Sequence, residues 1–193
     1  ILQITLKVLT MNKYYLLSRN YYMHQNNSSE FYLKNNWIPN YDIFTYSGWA
    51  LKDKIKTNDQ ILDIGCGYNL FKEHFGSRIY GIDPYNNKSD QLISWEDYKL
   101  HKEFNVFFIL GSFNFGDEKY VESQIAKLSN DTKTGDRIYW RQNPGIYRIE
   151  DKEVNLYPWT LDKNKEWANK YNFTINELLE DTGYRIYAEW IRN

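Results

Sequence analysis

The chain is 193 residues long, enough for one domain that buries roughly 70% of its unfolded surface without disulfide or metal staples. Its 24 basic and 25 acidic side chains leave a formal net charge of -1, so the whole-chain attraction to phosphate behind non-specific nucleic-acid binding is missing, and no apolar run approaches a membrane span. A hydrophobic fraction of 42%, with 18% of the chain aromatic, excludes a disordered polymer; with one cysteine, Cys66, and no leader pattern, a reducing cytoplasm is the expected setting.

Residues 1–10 precede Met11 and read equally as translated upstream sequence or as a short strand alternating Ile4, Leu6 and Val8 with polar positions. From 12 to 40 the chain is dense in Tyr and Asn. It reads as two short helical pieces around Asn26-Asn27-Ser28-Ser29, with Ser29 a candidate N-cap and Pro39 a stop. Too short to bury a core of its own, the extension 1–45 is expected to lay its aromatics on a domain spanning 46–193, as a fixed cover or as a lid that shapes a pocket. Tyr46, before the flexible Ser47-Gly48, offers a hydroxyl beside an apolar ring and is the first acceptor-side candidate.

Helical spacing over 49–55 leads to a short apolar strand at 60–64, a helix at 70–75 and a second strand at 78–82 ending in Asp83-Pro84. Strand, glycine turn, helix, strand is the unit of a doubly wound parallel sheet. The pattern continues with a weak strand at 91–95, a short helix over 96–102, and five apolar residues within 105–110 that suit a central strand buried on both faces. An amphipathic helix at 118–128 places Val121, Ile125 and Leu128 on one side, and a fifth strand follows at 137–141. A helix is expected at 162–170. The segment 174–180 reads either as another helix or, preferably, as a strand with Phe173, Ile175 and Leu179 on one face; the strand would pair with 184–191 as an antiparallel hairpin turning at Asp181-Thr182-Gly183.

The informative stretch is Asp63-Ile64-Gly65-Cys66-Gly67. Two glycines after a buried strand allow a tight turn and leave room for a ligand against the backbone. A dinucleotide site wants a third glycine where the helix begins, whereas Asn69 and Leu70 stand there, and the carboxylate of Asp63 repels pyrophosphate. It suits an ammonium group instead. Asp83, twenty residues on, ends the second strand, where an acid can take both hydroxyls of a ribose. An amine and a ribose in one ligand describe an aminoacyl nucleoside. Cys66 reads as a small loop residue, since no histidine is placed by sequence to activate it as a nucleophile.

Asp63-Ile-Gly-Cys-Gly67 with Asp83 resembles the cofactor signature of class I S-adenosylmethionine-dependent methyltransferases, over about residues 46–193. The resemblance implies a Rossmann-like α/β fold, a mostly parallel doubly wound sheet closed by an antiparallel C-terminal hairpin, with S-adenosylmethionine as cofactor and no metal. More narrowly, stretches 65–72, 81–85, 110–116 and 185–190 look like the small methyltransferase-like proteins of marine cyanobacterial tailed phages, which would place the chain in a host cytoplasm. Cofactor-side candidates are Asp63, Gly65, Cys66, Gly67, Asp83, Gly111 and, as an adenine wall at the end of the third strand, Trp95.

Ligands in such sheets lie beyond the carboxyl ends of the strands, so Ser112 and Asn114 after the fourth strand, and Arg141 and Asn143 after the fifth, are candidates to hold a small-molecule or sugar acceptor. Asn114 and Asn143 read equally as turn closers beside Gly116 and Pro144-Gly145. His24, His74 and His101 are the only histidines, and none is placed by sequence at a strand end, so no general base is named. The Asn/Asp-Pro-Pro-aromatic motif of amino-group methyltransferases acting on DNA is replaced after the fourth strand by Gly111-Ser112-Phe113-Asn114, which weighs against nucleic acid as acceptor. The alternative function is a cofactor-binding or interaction protein without transferase activity.

Overall fold

Strand β1 (Ile61–Ile64) is buried at every residue, and an element apolar on both faces belongs at the centre of a sheet. It pairs in parallel with β2 (Ile79–Asp83) on one side and β4 (Val106–Leu110) on the other. β3 (Gln91–Leu92) extends the β2 side and β5 (Arg137–Gln142) the β4 side, all parallel. β8 (Phe173–Glu180) and β9 (Ile186–Arg192) form an antiparallel pair whose second strand docks antiparallel on β5. The order is β3-β2-β1-β4-β5-β9-β8. This is the Rossmann-like sheet expected from the sequence, with the segment after Phe173 a strand and not a helix. The computed structural model describes residues 51, 54–142, 147–149, 152–154, 156–180 and 185–193. The extension 1–45, Tyr46, Asn143 and the 181–183 turn lie outside them.

Helix α1 (Lys72–Phe75) is a single turn. α2 (Glu118–Asp131) starts where the Asp117 side chain accepts the Tyr120 N–H at 2.8 Å and runs three residues past the expected end, until Thr132 returns its hydroxyl to the Leu128 carbonyl at 2.7 Å. α3 (Leu161–Lys170) is capped by Thr160, whose hydroxyl accepts the Lys163 N–H. No helix among the described residues is long and apolar enough to cross a membrane.

Alternation along the strands divides the core. Leu62, Ile64, Ile82, Phe107, Ile109, Ile138, Trp140 and Trp190 pack with Val121, Ile125 and Leu128 of α2 and Trp167 of α3, while Ile61, Ile79, Val106, Phe108 and Tyr139 pack with Phe71 and Phe75. At the amino ends of the strands, buried Asp59 forms an ion pair with Arg137 and accepts the Asn105 amide at 2.9 Å, tying the starts of β1, β4 and β5 together.

Three local expectations are corrected, and one element was not expected. The third strand is two residues long. Residues 96–102 carry no helix: one turn closes where the Tyr98 N–H meets the Ser94 carbonyl at 3.0 Å, and burial of Trp95, Tyr98 and Phe104 then outweighs a short helix that is marginal by itself. In β8 the ladder slips between Ile175 and Glu177, so Leu178 packs on the core and Leu179 is 54% exposed, not on the face of Phe173 and Ile175. A second, two-stranded sheet, β6 (Tyr147–Ile149) with β7 (Lys152–Val154), had no clear signal in the sequence.

Candidate functional site

The turn after β1 is built by left-handed residues. Gly65 and Gly67 take φ of 74° and 54°, and Asn69 takes 55°, as the tolerance of asparagine for that region suggests. Gly65 and Cys66 both donate their N–H groups to the Ile82 carbonyl, at 2.8 and 3.0 Å, which folds the turn over the end of β2. The two glycines then differ. A Cβ on Gly65 would sit 2.4 Å from the Cβ of Ser112, so its space is taken by the turn that follows β4; a Cβ on Gly67 would meet nothing within 4 Å. Of the two glycines, Gly67 is thus the one with room beside its backbone among the described residues.

Asp83 holds this turn. Its Oδ2 accepts the Gly67 N–H at 3.0 Å, and its Oδ1 accepts the N–H groups of Tyr85 and Asn86 at 2.8 and 2.9 Å. Three of the roughly four acceptor positions of a carboxylate are thus filled by backbone. Among the described residues this leaves one acceptor position of Asp83, on the oxygen beside Gly67, for a ribose hydroxyl. Asp63 contrasts with it: the side chain is 3% exposed, and no N–H or O–H of a described residue donates to it. Burial without a donor, together with the negative charge of Asp83, pushes its carboxyl up to about 7. Burial and the charges of Asp63, Asp83 and Asp90 push the Cys66 thiol far up, so Cys66 is a neutral loop residue, as read from the sequence.

A support layer lies behind the turn. The Asn69 amide donates to the Lys88 carbonyl and to Asp90 Oδ2, and Asp90 also takes the Gly81 N–H and the Lys72 ammonium at 2.8 Å each. Burial would push Asp90 up, but those donors hold it below the usual carboxylate range. Asp90 and Lys72 were not singled out in the sequence; the only signal available was an acid just before a weak strand.

The remaining candidates are sorted by the same geometry. Gly111, at φ 107°, begins the short 3-10 turn Ser112–Asn114, and a Cβ there would stand 3.0 Å from Nη2 of Arg141, so the Arg141 guanidinium lies over the end of β4. The Ser112 hydroxyl is buried without a hydrogen-bond partner among the described residues. Asn114 is 1% exposed and donates its amide to the Gly111 carbonyl at 3.0 Å, which makes it the turn closer that one of its two readings required. Trp95 is 4% exposed, donates its indole N–H to the Gln124 carbonyl of α2 at 3.2 Å and carries the Lys127 ammonium over its ring. It is a core residue, not an adenine wall, because the chain turns inward after a two-residue β3. Gly65, Cys66, Gly67, Asp63, Asp83, Gly111, Ser112 and Arg141 stand together at the carboxyl ends of β1, β2, β4 and β5.

No family model and no curated protein matches the chain. Solved structures do. A 1,6-didemethyltoxoflavin-N1-methyltransferase from Burkholderia thailandensis, solved with 1,6-didemethyltoxoflavin and S-adenosylhomocysteine, is similar over 94% of this chain and 90% of its own, with a TM-score of 0.67 and 12% identity. An amino pentose methyltransferase from Micromonospora echinaspora, solved with S-adenosylmethionine, is similar over 80% and 93%, TM-score 0.59, 12% identity. A putative S-adenosylmethionine-dependent methyltransferase from Listeria monocytogenes is similar over 77% and 99%, TM-score 0.61, 13% identity. This is the S-adenosylmethionine-dependent methyltransferase fold. At such identities the likeness is one of backbone architecture.

Proposed function

We propose that the chain binds S-adenosylmethionine at the turn after β1 and transfers its methyl group to a small-molecule or sugar acceptor. The observation that carries this reading is the pairing, among the described residues, of open space at Gly67 with a buried carboxyl at Asp63 that receives no donor. Acceptor-only oxygens with no partner ask for a cation with N–H bonds, and the ammonium of an amino-acid tail is one. Asp83 has an oxygen left for one ribose hydroxyl, beside the Gly67 N–H that orients it. When bound, the cofactor would supply a methyl group activated by its positive sulfur. The chain's part is to hold that group in line with an acceptor atom and to keep water out.

On this reading Arg141, at the end of β5, is the acceptor-side candidate among the described residues, Ser112 being seated against Gly65, and Tyr46 and Asn143 remain proposed acceptor-side residues outside them. The extension 1–45, outside the described residues, is proposed as the lid that shapes the acceptor pocket. The described histidines contribute no base: His74 lies exposed on α1, and Nδ1 of His101 is 3.1 Å from the Tyr98 hydroxyl, ahead of β4. Two of the proteins with this fold act on a small heterocycle and an amino sugar, which supports acceptors of that class. The narrower likeness of the sequence to phage proteins would put the activity in a host cytoplasm.

Calorimetry with S-adenosylhomocysteine tests the cofactor. Asp63→Ala and Asp83→Ala should each weaken binding by about 1.5–3 kcal/mol, roughly ten- to 150-fold. Because Asp83 also holds three backbone N–H groups, its variant is checked by thermal melting first. Unchanged affinity in both variants, or no binding by the parent, refutes the reading. Labelled cofactor and a panel of amino sugars and heterocycles then separate transfer from the alternative of binding without catalysis, which the structural use of Asn114 favours.

A further inference from the structure

We propose that Asp63 carries a proton in the ligand-free protein and releases it when an ammonium group docks, so that cofactor binding and proton release are one event. The proposal rests on the cofactor reading above and adds a linkage to it.

Its basis is the unequal treatment of two neighbouring carboxyls. Asp83 receives N–H groups from Gly67, Tyr85 and Asn86, so its negative charge is met by the backbone alone. Asp63 is at least as deeply buried, has no donor among the described residues, and lies within the field of Asp83. An ionised carboxylate so placed loses its hydration and gains nothing. The charges around it do not compensate. On the turn itself Cys66 is a neutral thiol; beyond β2, Asp90 is negative, and its cation Lys72 is committed to it and to the Ile79 carbonyl. β4 brings Val106, Phe107, Phe108, Ile109 and Leu110, none of which titrates, followed by the Ser112 hydroxyl. From β5 the cation is Arg141, whose guanidinium lies over Gly111 and is not among the groups that shift Asp63. A docking ammonium supplies at once the donors and the charge that Asp63 lacks. The carboxyl proton then leaves to solvent: a neutral acid and a substituted ammonium become a carboxylate–ammonium pair and one free proton.

The sign follows directly. Where the empty site is protonated, below about pH 7, raising the pH removes a proton that binding would otherwise have to expel, so affinity rises about tenfold per pH unit. Above that range the dependence flattens, until the ligand's own amine starts to lose its proton.

Isothermal titration calorimetry of S-adenosylhomocysteine at pH 6, in two buffers with different enthalpies of ionisation, counts the protons released. The expected count approaches one for the parent and zero for Asp63→Asn, a variant that keeps the shape of the neutral carboxyl and breaks no hydrogen bond in the fold. 5′-Methylthioadenosine, which lacks the amine, should bind without release. An infrared difference spectrum on ligand addition, losing a protonated-carboxyl band, reads the same event in the unmodified chain. S-adenosylhomocysteine binding without proton release, or equal release in Asp63→Asn, overturns the proposal while the cofactor reading stands. Release with methylthioadenosine overturns it too, by assigning the proton to another group. No binding at any pH overturns both.

Discussion

Gly65 and Gly67 are two residues apart, share the same left-handed backbone and have different reasons to be glycine. At Gly65 the reason is internal, since Ser112 occupies the place of a side chain; at Gly67 the neighbouring space is empty. Gly67→Ala should therefore cost only the left-handed strain, about 1–2 kcal/mol, and weaken S-adenosylhomocysteine binding as well. Gly65→Ala adds a steric clash with the turn after β4 and should cost about 2–5 kcal/mol in urea unfolding. Equal costs would mean that Ser112 is not seated on Gly65. The motif's chemistry was legible in the sequence because it is local: a strand, two glycines and an acid at each strand end. Which glycine faces open space was not, because Ser112 arrives from 47 positions away along the chain. Trp95 was illegible for a similar reason, since an aromatic at a strand end looks the same in sequence whether it meets a ligand or the Gln124 carbonyl.

Among the elements, β8 shows how one residue changes what a strand presents. Asn176 is the extra residue in the ladder, and its amide donates to Oε2 of Glu189, buried at 6% exposure on β9. The bulge thus adds a donor to a buried acid that Tyr139 also meets, and it moves the core face from the odd to the even positions. Leu178→Ala should cost about 1–2 kcal/mol, and Leu179→Ala should stay within about 0.5 kcal/mol, by chemical unfolding. The reverse ranking would return the strand to the regular alternation that the sequence suggests. That alternation was legible from 173 to 175 and failed after it, because the partner that decides the slip stands on another strand. The central strands were legible throughout: Val106–Leu110 is apolar on both faces, and only one environment suits such a segment.

At the scale of the whole molecule, β9 follows β8 in sequence yet sits inside it, between β8 and β5, contributing Ile186, Ala188 and Trp190 to the core. The five parallel strands are thus insufficient alone: their β5 edge would expose Trp140 and Ile138. A chain cut before Ile186 is expected to lose its cooperative transition in differential scanning calorimetry; a sharp transition in that fragment would make β8 and β9 an accessory to an already stable sheet.

The same inner strand brings Trp190 to within 4.6 Å of Trp140, ring centre to ring centre, and Trp140 in turn contacts Trp159, itself 5.1 Å from Trp167. Four indoles so close, fixed at oblique angles and hidden from water, share their electronic excitation. Trp159 also donates its N–H to the carbonyl of Phe113, in the turn whose Ser112 rests on Gly65. A molecule settling beside the glycines is therefore expected to change the circular dichroism and emission of the tryptophans, a change that light alone reads without a label.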